Sequence, residues 1–354
     1  MDIYGPGFQF QGFGLKTVHI FECYKVIRNS ECEVSNAELL LSFNWIFLLS
    51  FHCNMRIAPF NSWTVSLAAV FAMIFWGMSF IWSSIVFEYY EPITTIFLRL
   101  SISSIFLFLV LFVSGYLQRI KRQHYLLILT SAVFNPFLYF LGENFGLKYS
   151  SASISAVVIA TIPVFTPIAA WLMIREKVSI LNIMGIGVSF AGILVMLLKP
   201  DMSFSHSPSG ILLLFLAVFS AVVYSVFLKR LTENYNPMSI IAWQNLIGAL
   251  LFLPLFLIFD RDSFLASRPD LRMFSALFSL AILASSMAYV LFTFTVKHLG
   301  VSRANVYSNL IPVITAFASY FILNELFSTG KILGMFIVIS GVIITQIHKL
   351  KRIK

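Results

Sequence analysis

Charged residues are scarce in this chain. Only 11% of its 354 residues are Asp, Glu, Lys or Arg, whereas 59% are hydrophobic. This is too little polar surface to cover a soluble globule, so the composition predicts a membrane protein whose main partner is the lipid bilayer. The net charge of +9 comes from short basic clusters between apolar runs, not from one stripe or tail, and this argues against nucleic acid as a partner.

Residues that commonly perform chemistry are also few. The three cysteines, Cys23, Cys32 and Cys53, all precede the hydrophobic body and lack metal-ligand spacing. No Gly-rich phosphate loop, metal-ligand cluster or pairing of a nucleophile with a base occurs in the sequence. Every Asp and His lies in a predicted loop, near the end of a span or in the N-terminal segment. We therefore expect a protein that is not an enzyme and that has no cofactor and no metal site.

Long apolar runs fill the rest of the chain. Each is bounded by charge, Pro or Gly, and roughly 20 apolar residues suffice for a helix to span a bilayer. Since backbone polar groups in hydrocarbon must be satisfied within each segment, the spans are helices. The fold class is therefore predicted to be an all-α polytopic membrane protein with ten transmembrane helices. The predicted spans are 64–86, 93–114, 125–146, 151–173, 180–198, 210–228, 238–259, 273–296, 302–323 and 331–347.

The distribution of Lys and Arg between alternate connections predicts the orientation, because cytoplasmic loops are enriched in these residues. One side has Arg56, Arg119, Lys121, Arg122, Arg175, Lys177, Lys229, Arg230, Lys297, Arg303, Lys349, Lys351, Arg352 and Lys354. The other side has only Lys148, Lys199, Arg261, Arg268, Arg272 and Lys331. The C-terminus is thus expected in the cytoplasm, with the protein in the cytoplasmic membrane of a cell.

The first 54 residues fit this plan poorly. The apolar run 39–53 is shorter than a span requires, and the acidic residues before it do not resemble the start of a secretory signal. Met55, followed by Arg56, has the character of a native start. We hypothesise that residues 1–54 are an extension produced by the choice of start site. Detection of Met1 at the N-terminus of the native protein would contradict this.

An internal repeat divides the hydrophobic body into two halves of five spans. Residues 148–195 align without a gap on 297–344, an offset of 149. Because five is odd, the second copy enters the membrane from the opposite side, and such inverted repeats underlie alternating access in transporters. The predicted units are an extension (1–54), a first repeat (60–199), a second repeat (208–347) and a basic cytoplasmic tail (348–354). The coincident pairs include Lys148 with Lys297, Pro163 with Pro312, Glu176 with Glu325, Gly185 with Gly334 and Gly192 with Gly341.

Two segments in corresponding places resemble a known family. GLKYSSASISAVVIATIPVFTPIAAWLMIREK and LGVSRANVYSNLIPVITAFASYFILNE look like the two EamA-type repeats of the drug/metabolite transporter superfamily, and WGMSF near the start fits as well. The resemblance covers roughly 60–347. It implies a ten-helix, exporter-like carrier, usually of amino acids or related metabolites. Asn324-Glu325 departs from the pattern, since the family often has Gly-Glu at this turn.

Arg99 and Glu143 are the two ionisable residues predicted inside spans. Buried charges in a membrane are costly and usually face a cavity or a partner. At 1.5 Å per residue, both lie roughly 7–10 Å below the outer membrane face, so that they could pair. One hypothesis assigns Arg99 to a substrate carboxylate and Glu143 to a coupling proton or a substrate amine. The other makes them a structural ion pair, and the sequence does not decide between them.

Other polar and aromatic side chains near the middle of the spans are candidates for contact with a solute, although each could instead hold two helices together. Pro163 and Pro312 interrupt helix hydrogen bonding and are hinge candidates. Gly185 and Gly192, with their equivalents, favour close helix packing or a homodimer. The candidates for solute contact are Trp76, Ser79, Asn135, Tyr139, Asn144, Tyr224, Gln244, Asn245, Tyr289, Asn305 and Asn309.

Three functions are compatible with these patterns. The first is a secondary carrier that exports a small organic metabolite such as an amino acid, driven by protons or by the gradient of the solute. The second is an intramembrane enzyme acting on lipid, which would need a His, Asp or Cys at the midplane. The third is a membrane adaptor without transport activity, which would need long loops or tails. The inverted repeat favours the carrier.

Overall fold

The computed structural model describes residues 62–166, 180–197 and 207–351, which form helices joined by short connections. The predicted extension 1–54, the residues 167–173 of the fourth predicted span, Glu176 and the end of the basic tail lie outside the described residues. The helices are α1 (Ser62–Val86), α2 (Pro92–Ser114), α3 (Arg122–Lys148), α4 (Ala152–Thr166), α5 (Ile180–Leu197), α6 (Pro208–Asn234), α7 (Pro237–Ala266), α8 (Leu271–Leu299), α9 (Val301–Ala304, Asn305–Asn309 and Leu310–Ile322) and α10 (Thr329–Lys351).

Local sequence determines where several helices begin and end. Pro92, Pro208 and Pro237 stand in the first turns of α2, α6 and α7, where a missing N–H costs no helix hydrogen bond. The side chain of Asn236 caps α7 by accepting from Ser239 N. Because of these residues, each of the three helices can begin directly after the connection that precedes it.

Six of the helices, α1, α2, α3, α6, α7 and α8, are long and apolar enough to cross a membrane, and parts of α4, α5 and α10 are shorter apolar helices. Large apolar side chains point outward, including Phe112, Phe317 and Phe336, which are 66–80% exposed. In water such a surface would aggregate, whereas in lipid it is solvated. The prediction of an all-helical, multi-pass membrane protein is confirmed. The count of ten spans stays a prediction.

Corresponding helices of the two halves are interrupted at corresponding places. In α4 the regular helix stops at Ile159 and resumes after two residues, just before Pro163. In α9 the stretch Asn305–Asn309 is a 3₁₀-helix just before Pro312. Proline has no N–H to donate to the carbonyl four residues earlier, so the helix is locally broken there. The two hinge candidates thus lie beside real interruptions.

The third helix of each half is irregular at corresponding places. In α3 the helix is kinked within Val133–Leu138, where Asn135, just before Pro136, has a non-helical φ of −147° and ψ of 115°. In α8 the stretch Leu280–Ala288 is π-helical. These two stretches overlap when the sequence is shifted by the repeat offset of 149. Irregular turns inside helices often mark functional sites, because they turn side chains away from the regular helical pattern. Neither stretch was predicted from the sequence.

The helices α5 and α10 pack closely through glycines that the repeat pairs with one another. A Cβ on Gly192 would lie 2.7 Å from Val338 N and 2.9 Å from the carbonyl oxygen of Gly334. Reciprocally, a Cβ on Gly341 would lie 2.7 Å from the carbonyl oxygen of Gly185. Reciprocal contacts between equivalent residues are what a two-fold relation produces. These glycines therefore join the two repeats within one chain.

Loops from opposite halves meet at one end of the helices. Thr94, at the start of α2, donates from its backbone N and its Oγ1 to Asp260 Oδ2 at 2.9 and 3.0 Å. Nearby, Arg272 Nη1 lies 3.9 Å from Glu88 Oε2. The α1–α2 connection is thus tied to the α7–α8 connection.

The equivalent exchange occurs between the α2–α3 and α6–α7 connections. Gln118 N donates to Ser239 Oγ at 3.0 Å, and Lys121 N donates to Tyr235 Oη at 3.0 Å. Here the second connection of the first half meets the first connection of the second half. Both ends of the seam between α2 and α7 are therefore closed by hydrogen bonds between the halves.

The turn between α9 and α10 contains the Asn324-Glu325 departure from the family pattern. Asn324 has φ of +52°, a left-handed conformation that Asn tolerates better than other residues with a side chain. The turn thus forms with Asn where the family often has Gly. Glu325 is partly buried, but hydrogen bonds from Lys331, Ser151 and Ser153 outweigh that burial and hold the pKa of its carboxyl below its usual value.

We predict that Gly192→Ala destabilises the protein by about 1–3 kcal/mol, because the added methyl group meets the backbone of α10. The matched control is Gly187→Ala in the same helix, where an added Cβ meets nothing within 4 Å and the change should be neutral or stabilising by up to about 1 kcal/mol. Thermal unfolding in detergent measures both. Equal melting temperatures for the two variants would show that α5 and α10 do not pack in this way.

Candidate substrate cavity

One cavity lies among six helices, three from each half of the chain. The lining residues come from α1, α3 and α4 and from the equivalent helices α6, α8 and α9. Among the described residues, α2, α5, α7 and α10 contribute none. The lining is Trp76, Phe80, Asn135, Tyr139, Glu143, Ile159, Ile162, Ala221, Tyr224, Ser225, Tyr289, Phe292, Asn305, Ser308 and Ile311.

The cavity is narrow in this conformation. Its volume is about 60 Å³ measured to the centres of water molecules. One water needs roughly 10–15 Å³ of such space, so about four waters would fill it. An organic solute of amino-acid size has more heavy atoms than that. The side chains or helices around the cavity must therefore move before such a solute can enter.

Glu143 is the charged side chain in the lining. It lies on α3, is 7% exposed, and accepts a hydrogen bond from Tyr139 Oη to Oε1 at 2.8 Å. Its second oxygen has only longer contacts, 3.5 Å to Asn144 Nδ2 and 4.0 Å to Arg99 Nη1. A carboxylate offers about four acceptor positions, so Glu143 can accept further donors from the cavity.

Arg99 lies behind Glu143 and does not line the cavity. Its side chain on α2 is almost fully buried, Nε donates to Ser285 Oγ of α8 at 2.8 Å, and the guanidinium carbon is 4.2 Å from the centre of the Phe140 ring. The distance of 4.0 Å to Glu143 makes an ion pair without a short hydrogen bond. The two charges thus compensate each other, and only the negative one faces the cavity.

Aromatic rings form much of the remaining wall. Trp76 packs edge-on against Tyr289 and tilted against Phe292, with both ring centroids 4.9 Å away. Its buried Nε1 has no hydrogen-bond partner among the described residues. Tyr224, at the equivalent place in the second repeat, donates to Gln244 Oε1 at 3.2 Å. Both equivalent residues therefore line the one cavity.

Seven of the residues singled out from the sequence line the cavity. They are Trp76, Asn135, Tyr139, Glu143, Tyr224, Tyr289 and Asn305. Asn135 Nδ2 donates to Tyr289 Oη at 3.3 Å across the halves. Ser79 is buried beside the cavity, and its Oγ donates to the carbonyl oxygen of Trp76 at 2.7 Å.

Several other candidates lie outside the lining. Gln244 donates to Ser131 Oγ at 2.5 Å, and Asn245 donates to Ser103 Oγ at 2.7 Å, so both join helices. Asn144 donates to the carbonyl oxygen of Phe140 at 3.0 Å. Asn309, Pro163 and Pro312 lie close in sequence to lining residues but do not line the cavity themselves.

Half of the wall was not identified from the sequence. The missed residues are mostly apolar and do not differ in type from other residues of a membrane span. Ile162 and Ile311 could have been identified, because they occupy equivalent positions in the repeats, next to Pro163 and Pro312. The missed lining residues are Phe80, Ile159, Ile162, Ala221, Ser225, Phe292, Ser308 and Ile311.

Outward apolar surfaces and a buried cavity between the two repeats are the features of a multi-pass membrane protein. The chain belongs to the EamA-like transporter family, whose model matches it twice, at residues 63–198 and 208–347. The family expected from the two repeated segments is therefore confirmed, and each half of the chain is one EamA repeat.

Similar proteins agree with this assignment. An uncharacterized transporter of Archaeoglobus fulgidus is 26% identical over 270 residues, covering 76% of this chain and 94% of that protein. The uncharacterized transporter YetK of Bacillus subtilis is 26% identical over 290 residues, covering 80% and 87%. A solved crystal structure superposes with a TM-score of 0.61 at 17% identity, covering 80% of this chain and 99% of that chain, and shows a shared fold.

We predict that Arg99→Met lowers stability by about 3–5 kcal/mol, because it leaves the buried carboxylate of Glu143 without its counter-charge. The double variant Arg99→Met/Glu143→Gln should lose less than the sum of the single losses. Thermal unfolding of the purified protein measures all three variants.

The matched control for this cycle is Glu88→Gln, which breaks an ion pair with Arg272 at 3.9 Å in which both side chains are about half exposed. Exposed pairs contribute only about 0–1 kcal/mol, so this variant should unfold near the wild-type temperature. Additive losses for Arg99 and Glu143 would mean that the two charges do not interact.

Proposed function

We propose that this protein is a secondary transporter that exports a small organic metabolite, such as an amino acid or amine, by alternating access between two inverted repeats. The observation that carries the proposal is the cavity itself, which is lined by three equivalent helices from each repeat and contains the buried carboxylate of Glu143. A site at the interface of two repeats becomes accessible from alternate sides when one repeat rocks against the other.

The proposed topology has ten spans, with the C-terminus in the cytoplasm of the cell. Its support is the excess of Lys and Arg on one side and the separation of the loop contacts into two groups. The α1–α2 and α7–α8 connections meet at one end, and the α2–α3 and α6–α7 connections meet at the other. A chain that crosses the membrane at every helix has alternate connections on opposite faces, and these contacts agree with that arrangement.

Glu143 is the proposed coupling residue, and Arg99 is its positioning partner. A carboxylate in a narrow cavity can hold either a proton or a positively charged group of the solute, and occupation by one excludes the other. Arg99 reduces the cost of an ionised carboxylate when neither is bound, since an isolated buried charge would be costly. The equivalent positions in the second repeat are Gln244 and Phe292, so the pair is not repeated there.

The movement is proposed to occur at the interruptions beside Pro163 and Pro312. The seam between α2 and α7 is closed by hydrogen bonds at both ends, and α5 packs tightly on α10. In contrast, α4 and α9 are broken next to the cavity, where local helix hydrogen bonds are already missing. Bending at these positions would widen the cavity toward one face without unlocking the seams.

In liposomes with an imposed proton gradient, we predict that the purified protein accumulates at least one labelled solute from a panel of amino acids, amines and small metabolites. Glu143→Gln should reduce this gradient-driven accumulation to the level of empty liposomes, because Gln cannot exchange a proton. Glu88→Gln, which changes an exposed carboxylate far from the cavity, is the matched control and should transport like the wild type.

Two results would contradict the proposal in different ways. If well-folded wild type moves none of the solutes, the carrier function fails. If Glu143→Gln accumulates the solute as well as the wild type does, the carrier stands but Glu143 is not its coupling residue.

A further inference from the structure

The charge inside the cavity is of one sign. Glu143 lines the cavity, whereas Arg99 is separated from it and contacts Ser285 and the ring of Phe140. A ligand group about 3 Å from the carboxylate would be about 7 Å from the guanidinium, so Coulomb attraction to the nearer charge is about twice the repulsion from the farther one. The ion pair therefore presents its negative end to a ligand.

The carboxylate of Glu143 also accepts fewer hydrogen bonds than it could. Tyr139 Oη supplies its one short hydrogen bond, at 2.8 Å, and the contacts of Oε2 are 3.5 and 4.0 Å long. A buried carboxylate that lacks donors is stabilised by any donor that enters, most of all by one that carries positive charge. A carboxylate of a ligand would instead meet a like charge at close range.

Aromatic side chains line the same space. Trp76, Tyr289 and Phe292 form one packed group, and Tyr139 and Tyr224 also belong to the lining. The faces of such rings attract cations, and rings together with an acidic group are the usual chemistry by which proteins bind organic ammonium ions. An apolar body attached to the cation would at the same time be buried against the rings.

From this arrangement we infer that the cavity selects organic monocations, namely small aromatic or apolar amines, over zwitterions and anions of the same shape. This inference rests on the proposed function and narrows its substrate class from amino acids to amines. It also departs from the first of the two hypotheses for Arg99: Arg99 acts through Glu143 instead of holding a substrate carboxylate itself.

A series of four ligands with one ring and different charge tests the inference. Isothermal titration of the purified full chain in detergent compares 2-phenylethylammonium, 2-phenylethanol, phenylalanine and 3-phenylpropionate, which are a cation, a neutral molecule, a zwitterion and an anion. The cation should bind at least about tenfold more tightly than the zwitterion, as one charge-assisted hydrogen bond would provide, and the anion should bind most weakly.

Two variants assign any preference to the carboxylate. Glu143→Gln should remove most of the advantage of the cation over the neutral alcohol, and binding of the alcohol that remains reports that the cavity is intact. Glu88→Gln should behave like the wild type, since that carboxylate lies outside the cavity. If Glu143→Gln does not fold, the charge series on the wild type still decides the question.

The outcomes separate the inference from the proposed function. Tighter binding of the zwitterion or the anion, equal binding of all four ligands, or binding of none would overturn the selection of cations. A cation that binds as expected but shows no flux in liposomes would overturn the carrier function and leave the charge preference intact. Flux of a zwitterion without any preference for the cation would overturn the selection of cations and leave the carrier function intact.

Discussion

A guanidinium and a carboxylate placed together inside a membrane-spanning bundle constrain everything around them. Either charge alone would be too costly to bury, so Arg99 and Glu143 require each other, and they are 4.0 Å apart. Arg99 also bonds to Ser285 across the repeats, and Glu143 to Tyr139 beside the cavity. The pair thereby fixes α2, α3 and α8 relative to one another and leaves the second carboxylate oxygen with only long contacts, at 3.5 and 4.0 Å.

Both repeats contribute to the cavity wall, whereas the buried ion pair comes from the first repeat alone. Equivalent helices from both halves line it, equivalent connections meet at both ends, and equivalent glycines join α5 to α10. The charge is not repeated, because the second half has Gln244 and Phe292 where the first has Arg99 and Glu143. A symmetric frame that can open toward either face would therefore contain a single ionisable site, as an alternating carrier with one bound proton or cation requires.

Much of the fold followed from the sequence, since apolar runs of bilayer length and a repeat with matching Pro and Gly leave few alternatives. The depth of a residue in the membrane could also be predicted from its position along a span, and Arg99 and Glu143 were predicted at similar depths. The rotation of each helix about its own axis could not be predicted. Helices that are apolar on nearly every side lack an apolar stripe, so the sequence does not indicate which face packs against the other helices. Hence the sequence did not separate Gln244 and Asn245, which join helices, from the residues that line the cavity. Pro136 could have indicated the kink in α3, whereas the π-helical stretch of α8 had no recognisable signal.

Transport as proposed requires one repeat to move against the other, with α4 and α9 bending beside Pro163 and Pro312, and a crosslink between these two helices would prevent this movement. Ser153 of α4 and Ser319 of α9 have their Oγ atoms 2.9 Å apart, so cysteines at both positions can be joined in a variant with Cys23, Cys32 and Cys53 replaced by Ser. The control joins Ser150 to Ser155, also 2.9 Å apart, within one half. Oxidation should stop transport by the 153–319 pair alone, and reduction should restore it. Undiminished transport with that crosslink in place would contradict the account.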